Sequence, residues 1–520
     1  MTWLNKKESA AMRNSGVLMH ISSLPSPYGI GTLGKAARDF VDFLEAAGQT
    51  FWQTLPICPT SYGDSPYQSC STYAGNPYFI DLDLLREEGL LEKEDYEGIS
   101  WEIRTDQVDY GILYRERFDV LGKAARRFRH RIRESGHTGD GISTLKEAYE
   151  TFCRENGFWL DDFALFMTIK NLNGGKAWTE WDSALRNREK EALELVRARQ
   201  EGEIAFWKIL QFFFFRQWKA LHNYCAGKNI RIIGDMPFYV ALDSVDVWAR
   251  PDLFLLDEER IPIEVAGVPP DGFSETGQLW GNPVYRWEEH KKTGYSWWIQ
   301  KIGYLCREYD ILRIDHFRGF DSYYTVKYGS EDARGGAWRP GPGYALFEAL
   351  KKSRGDLPII AEDLGYTTES VRKLLKDTGF PGMKILQFGF DERDEGSSDH
   401  LPHQYPVHCV AYTGTHDNDT LCGWLEHADP GDVACARDYL RLEGAKEPHW
   451  DMIKALYATA AETVIVQTQD LLGLDSESRM NTPSTMGGNW CWRLCQGDLN
   501  KELAEKLRHI TSLYDRMNRS

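Results

Sequence analysis

Apolar residues along this chain gather into short β-branched runs that end in polar or charged positions. Eight such runs are Gly16–Ser23, Phe51–Ile57, Ile230–Phe238, Ile311–Phe317, Pro358–Leu364, Met383–Phe390, Val407–Gly414 and Thr463–Gln469. Between most of them lie stretches with apolar residues every three or four positions, such as Ala36–Ala47 and Glu369–Asp377, the spacing of an amphipathic helix. Strands alternating with helices predict a parallel sheet. Eight of them fit a closed (β/α)8 TIM barrel better than an open sheet.

Two connections are too long to be simple crossovers. Cys58 to Lys228 separates the second and third runs and contains charged, helix-favouring segments such as Asn187–Glu203. It also holds Phe206–Leu221, in which Trp207, Leu210, Phe214, Trp218 and Leu221 share one helical face. This reads as a mainly helical subdomain, 58–228, inserted after the second strand. The connection 241–298 is rich in Gly and Pro, which mark loop rather than strand or helix. It is expected to be a long loop insertion after the third strand, with segment 266–283 at its functional tip. At about 150 residues per domain, 520 residues would suggest three or four domains. The pattern instead predicts one barrel spanning 1–520 with these insertions.

Composition narrows the function. Hydrophobic residues at 42% and charged residues at 27% are those of an ordinary globular chain. The net charge of −17 is spread along the chain, which leaves no basic surface for nucleic acid. The most apolar window, Phe206–Phe215, is broken by Lys208 and Gln211 and is too short to cross a bilayer. Met1–Ser15 lacks the apolar core of a secretory signal. Ten cysteines are scattered without a CxxC, as in a reduced, cytoplasmic protein. Aromatics reach 13%, consistent either with a large aromatic core or with flat rings for stacking sugars.

Residues at the C-terminal ends of barrel strands converge on one face. Those ends supply Asp235 (IIGDMPF), Asp315 (LRIDHFRG), Glu362 (IIAEDLG) and Asp417 (GTHDNDT). Any one of them could simply cap the following helix; together they suggest a metal or a reaction. Oxygen-rich sites suit Mg²⁺ or Ca²⁺, but the chain has no HxH, HExxH or DxDxD cluster. Arg313 lies two residues before Asp315 and so faces the same side, where its charge is expected to keep that carboxyl ionised. Retaining glycoside chemistry needs such a charged carboxylate together with a protonated carboxyl. No organic cofactor is expected. His316, His416 and Trp280 suit sugar contacts at a barrel mouth, while Trp207, Trp218 and Phe212–Phe215 suit a core. No GxxxxGK[ST] or GxSxG motif is present.

The longer motifs resemble the 4-alpha-glucanotransferases of glycoside hydrolase family 77, within the α-amylase superfamily. They include GVLMHISSLPSPYGIGTLG at 16–34, GDSPYQSCSTYAGNPYFIDL at 63–82 and GDMPFYVALDSVDVWA at 234–249. Others are AGVPPDGFSETGQLWGNPVYRW at 266–287, LRIDHFRG at 312–319, AEDLG at 361–365, GTHDND at 414–419 and RMNTPSTMGGNWCWR at 479–493. The resemblance implies Asp315 as nucleophile, Glu362 as general acid/base and Asp417 as the third carboxylate. It implies substrate contacts at Tyr67, Asp235, Asp271, Glu275, Trp280, Arg313, His316, Asp391 and His416. The implied donors are maltooligosaccharides or starch- or glycogen-derived α-1,4-glucans, and the implied acceptors glucose or maltodextrins. Gly272 stands where family members commonly carry an aromatic. A plain α-glucan hydrolase shares the first chemical step, and a silent glucan-binding protein would share only the fold.

Overall fold

The computed structural model describes residues 13–518 except 62, 135–141, 271–274, 366, 392, 394, 395 and 486. Its twelve strands, in chain order, are β1 (Asn14–Leu18), β2 (Phe51–Gln53), β3 (Arg231–Met236), β4 (Glu264–Val268), β5 (Gln278–Pro283) and β6 (Ile311–Ile314). They continue with β7 (Ser322–Lys327), β8 (Ala337–Pro340), β9 (Ile359–Ala361), β10 (Gly382–Ile385), β11 (Cys409–Tyr412) and β12 (Thr463–Gln467). Each of the eight predicted runs contains or overlaps one strand of an eight-stranded parallel sheet, ordered β10-β11-β12-β1-β2-β3-β6-β9. The Ala361 amide donates to the Pro381 carbonyl at 3.0 Å, joining β9 to the start of β10. The sheet is thus a nearly closed (β/α)8 barrel. The observed strands are shorter than the runs because each run's polar end leaves the ladder and turns into the mouth.

The barrel interior is not wholly apolar. Tyr412 at the end of β11 donates to Gln53 at the end of β2, 2.9 Å across a buried interior. Burying a hydroxyl without a partner costs roughly 1–3 kcal/mol, so this pairing permits a polar layer directly below the mouth.

Between β2 and β3 the chain forms the helices Tyr110–Glu134, Ile142–Glu155, Gly157–Leu172, Lys190–Arg199 and Glu201–Gly227. The apolar face read from the sequence is buried, but so are Ile209, Gln211, Phe212 and Phe213 of the same last helix. Two amides on this helix explain why polar residues are tolerated inside. Gln211 donates to the Gly75 carbonyl and accepts from its amide, at 2.9 and 2.8 Å. Gln217 does the same at Asp81, at 3.1 and 2.7 Å. The helix thereby holds the loop that follows β2, which also carries Tyr67.

The expectation that 241–298 is loop is corrected. It contains β4 and β5, which join β7 and β8 in a four-stranded antiparallel sheet ordered β5-β4-β7-β8. Its glycines serve the pairing. A Cβ on Gly267 would stand 2.6 Å from the Gln278 carbonyl oxygen, and Gly277 turns the chain at φ +68°. Half of the sheet, β7 and β8, lies beyond this connection, so composition within 241–298 could not reveal it. Among the described residues no helix is long and apolar enough to cross a membrane, and no cluster of acids, histidines or cysteines is arranged to hold a metal ion.

Candidate active site

The site grows from strand register. Asp235 on β3 pairs with Arg313 on β6, so the two side chains stand beside each other on the same face. Arg313 Nη1 donates to both Asp235 oxygens, at 2.8 and 2.7 Å, and to Asp315 Oδ1 at 3.1 Å. Tyr67 donates to Asp235 Oδ2 at 2.7 Å. The Asp235 side chain is 0% exposed. It organises Arg313 and Tyr67 from below, with both oxygens engaged.

Backbone bonds carry the ladder one residue past the strand ends and set the two central carboxyls side by side. The Asp315 amide donates to Met236 O at 3.0 Å, and the Glu362 amide to Ile314 O at 3.0 Å. Glu362 Oε2 then accepts from the backbone amide of His316, the next residue after Asp315, at 2.6 Å. Its Oε1 accepts from Leu364 N at 2.9 Å. The Asp315 side chain keeps 28% of its surface open to solvent.

Burial pushes the Asp315 carboxyl well above the usual carboxylate range. The Arg313 charge opposes this, and the charges of Glu362, Asp235 and Asp417 add to it. Burial also raises Glu362, against Arg313 and its two backbone donors. Arg313 therefore does not by itself hold Asp315 at an ordinary aspartate pKa, because its closest contacts go to Asp235. Two such neighbours titrate as a unit, and the pair retains a proton at a pH where isolated carboxyls have lost theirs.

Around this pair stand neutral rings. His416 stacks on Tyr67 with centroids 4.9 Å apart, and burial lowers its pKa. His316 adopts the left-handed conformation, φ 49° and ψ 46°, an unfavourable one for a non-glycine residue. Burial pushes its pKa down to about 3. Its Nε2 is buried and unpaired among the described residues, a deficit of about 1–3 kcal/mol that a ligand hydroxyl would relieve. Trp280 on β5 meets His316 edge-on at 5.0 Å and donates to Gln278 Oε1 at 3.0 Å. The second sheet thus supplies a wall of the site.

The side chain of Asp417, after β11, is 46% exposed. Its Oδ1 accepts from Asn481 Nδ2 at 2.6 Å, and its carbonyl accepts from Arg479. Sequence reading missed Asn481 and Arg479 as its supports. The motif 479–493 was visible, but nothing in it shows that the chain returns to β11. Of the other expected contacts, Asp391 lies in a different cluster with Arg393 and Asp432. Glu275 lies in an exposed turn between β4 and β5. Asp271 and the position of Gly272 fall outside the described residues.

Comparison with known proteins gives the family. The pattern defining the 4-alpha-glucanotransferase family matches residues 19–498. A 4-alpha-glucanotransferase of Clostridium butyricum is 46% identical over 500 residues, covering 96% of this chain and 100% of that protein. One from Thermus thermophilus is 44% identical over 512 residues, covering 97% and 99%. The solved amylomaltase of Streptococcus agalactiae in complex with acarbose superposes with a TM-score of 0.92 at 46% identity, covering 97% of this chain and 100% of that one. The chain belongs to glycoside hydrolase family 77, the 4-alpha-glucanotransferases.

Proposed function

We propose that this chain is a retaining 4-alpha-glucanotransferase in which Asp315 is the nucleophile and Glu362 the acid and base. The observation that carries this reading is the pair of buried carboxyls at the ends of adjacent strands, of which Arg313 hydrogen-bonds Asp315. This reading places the negative charge of the singly protonated pair on Asp315, 3.1 Å from that guanidinium, and the proton on Glu362. Asp315 attacks C1 of the donor sugar as Glu362 protonates the departing 4-oxygen; the C1–O bond breaks and a glucosyl ester forms. Glu362, now ionised, takes the proton of an acceptor 4-hydroxyl, whose oxygen displaces Asp315. Asp417, steadied by Asn481, faces the positive charge that develops on the ring. The unpaired His316 Nε2 and the His416 ring are suited to sugar hydroxyls, and Trp280 and Tyr67 to sugar faces.

The donors in this proposal are maltooligosaccharides and starch- or glycogen-derived α-1,4-glucans, and the acceptors glucose and maltodextrins. Ten cysteines without a disulfide suit a cytoplasmic setting, and segment 58–228 is read as a helical subdomain inserted in the barrel. Incubation with maltotriose tests the activity. Transfer yields glucose and a ladder of longer maltodextrins. Glucose and maltose without a ladder would make the protein a hydrolase instead.

A further inference from the structure

The edge strand β8 carries Trp338 with 41% of its surface exposed. The guanidinium carbon of Arg318 lies 4.0 Å from the ring centroid, and Tyr324 meets the indole edge-on at 5.4 Å. One indole face is therefore held by a nine-tenths buried arginine, and the ring is fixed rather than free to fold down. Exposed sheet edges are normally protected by charge or proline, and Arg339 and Pro340 already provide both here. An exposed indole does the opposite, so edge protection does not account for it.

Position links the ring to the reacting centre. Arg318 lies three residues after Asp315, in the turn Phe317–Phe320, and its charge is felt at His316. The segment after β8 is tied to the same turn, Gly343 N donating to Phe320 O at 2.8 Å and Gly341 N to Asp321 O at 2.7 Å. It leads to Tyr344, a second ring at 40% exposure. A flat ring held in place on an anchored segment, with a second exposed ring six residues on, matches the repeating C–H faces of a polysaccharide.

We propose that Trp338 is a stacking platform for the part of a long α-glucan that extends beyond the sugars at the reacting centre. The platform rests on the functional reading above and adds to it a residue that selects for chain length. Short oligosaccharides end before reaching it, whereas amylose lies across it.

Two comparisons test this. In the first, Asp315→Ala and Asp315→Ala/Trp338→Ala are run through native gels containing soluble amylose. The platform predicts about five- to tenfold weaker glucan retardation for the double variant, or ~1–1.4 kcal/mol. Equal retardation overturns it. In the second, the kcat/KM ratio of amylose to maltotriose falls by a similar factor in Trp338→Ala and largely recovers in Trp338→Phe, which keeps a ring. An unchanged ratio, or equal losses in Ala and Phe, overturns it. Failure of the functional reading would appear separately, as a wild-type protein that turns over neither glucan, and the gel comparison does not depend on that outcome.

Discussion

The proposed chemistry needs Glu362 protonated while its neighbour is charged. Burial raises both carboxyls, Arg313 hydrogen-bonds Asp315 while its charge opposes the rise at each, and ionising the second group would place two negative charges side by side. The acid limb of the kcat/KM profile reports the first ionisation of the pair and the alkaline limb the second. Because both groups are raised, both limbs are expected above the ordinary carboxylate values of about 3.9 and 4.3. Glu362→Gln cannot donate a proton. It should lose activity by ~10²–10⁴-fold on ordinary maltodextrins and far less on α-maltosyl fluoride, whose leaving group needs no proton. On the fluoride its alkaline limb should vanish while the acid limb stays. A persisting alkaline limb, or equal losses on both donors, would remove Glu362 from the role.

The strands were legible because a parallel barrel buries both strand faces, so each strand appears as an apolar run whose polar end marks the mouth. Asp315 and Glu362 could be found by that rule alone. The second sheet could not. Gly267 and Gly277 looked like loop residues, yet they permit β4 and β5 to pair with each other, and β4 pairs with β7 about sixty residues away in sequence. Asn481 was hidden for the same reason, because nothing in its neighbours tells of Asp417. Gly75 shows how tightly the insertion is seated: an added Cβ there would lie 2.0 Å from the Phe214 ring, which is itself fully buried. Gly75→Ala should therefore destabilise the protein by about 1–3 kcal/mol through overpacking, read as a lower urea midpoint. A midpoint equal to the parent's would mean that the helix Glu201–Gly227 yields to the loop rather than holding it.

The molecule as a whole joins a barrel that supplies charge with two additions that supply surfaces. The loop held by Gln211 and Gln217 brings Tyr67 to Asp235 and His416, and the antiparallel sheet brings Trp280 to His316. Cleavage and transfer share the first step and differ in whether sugar or water intercepts the ester. Walls on two sides of the pair favour a bound sugar by excluding water. The ester proposed on Asp315 is the species on which all of this depends, and a trapping experiment tests it. Glu362→Gln incubated with α-maltosyl fluoride and quenched in acid should gain the mass of one maltosyl unit, and peptide mapping should place it on Asp315. A label on any other residue, or turnover of the fluoride with inverted configuration and no adduct, would contradict the account.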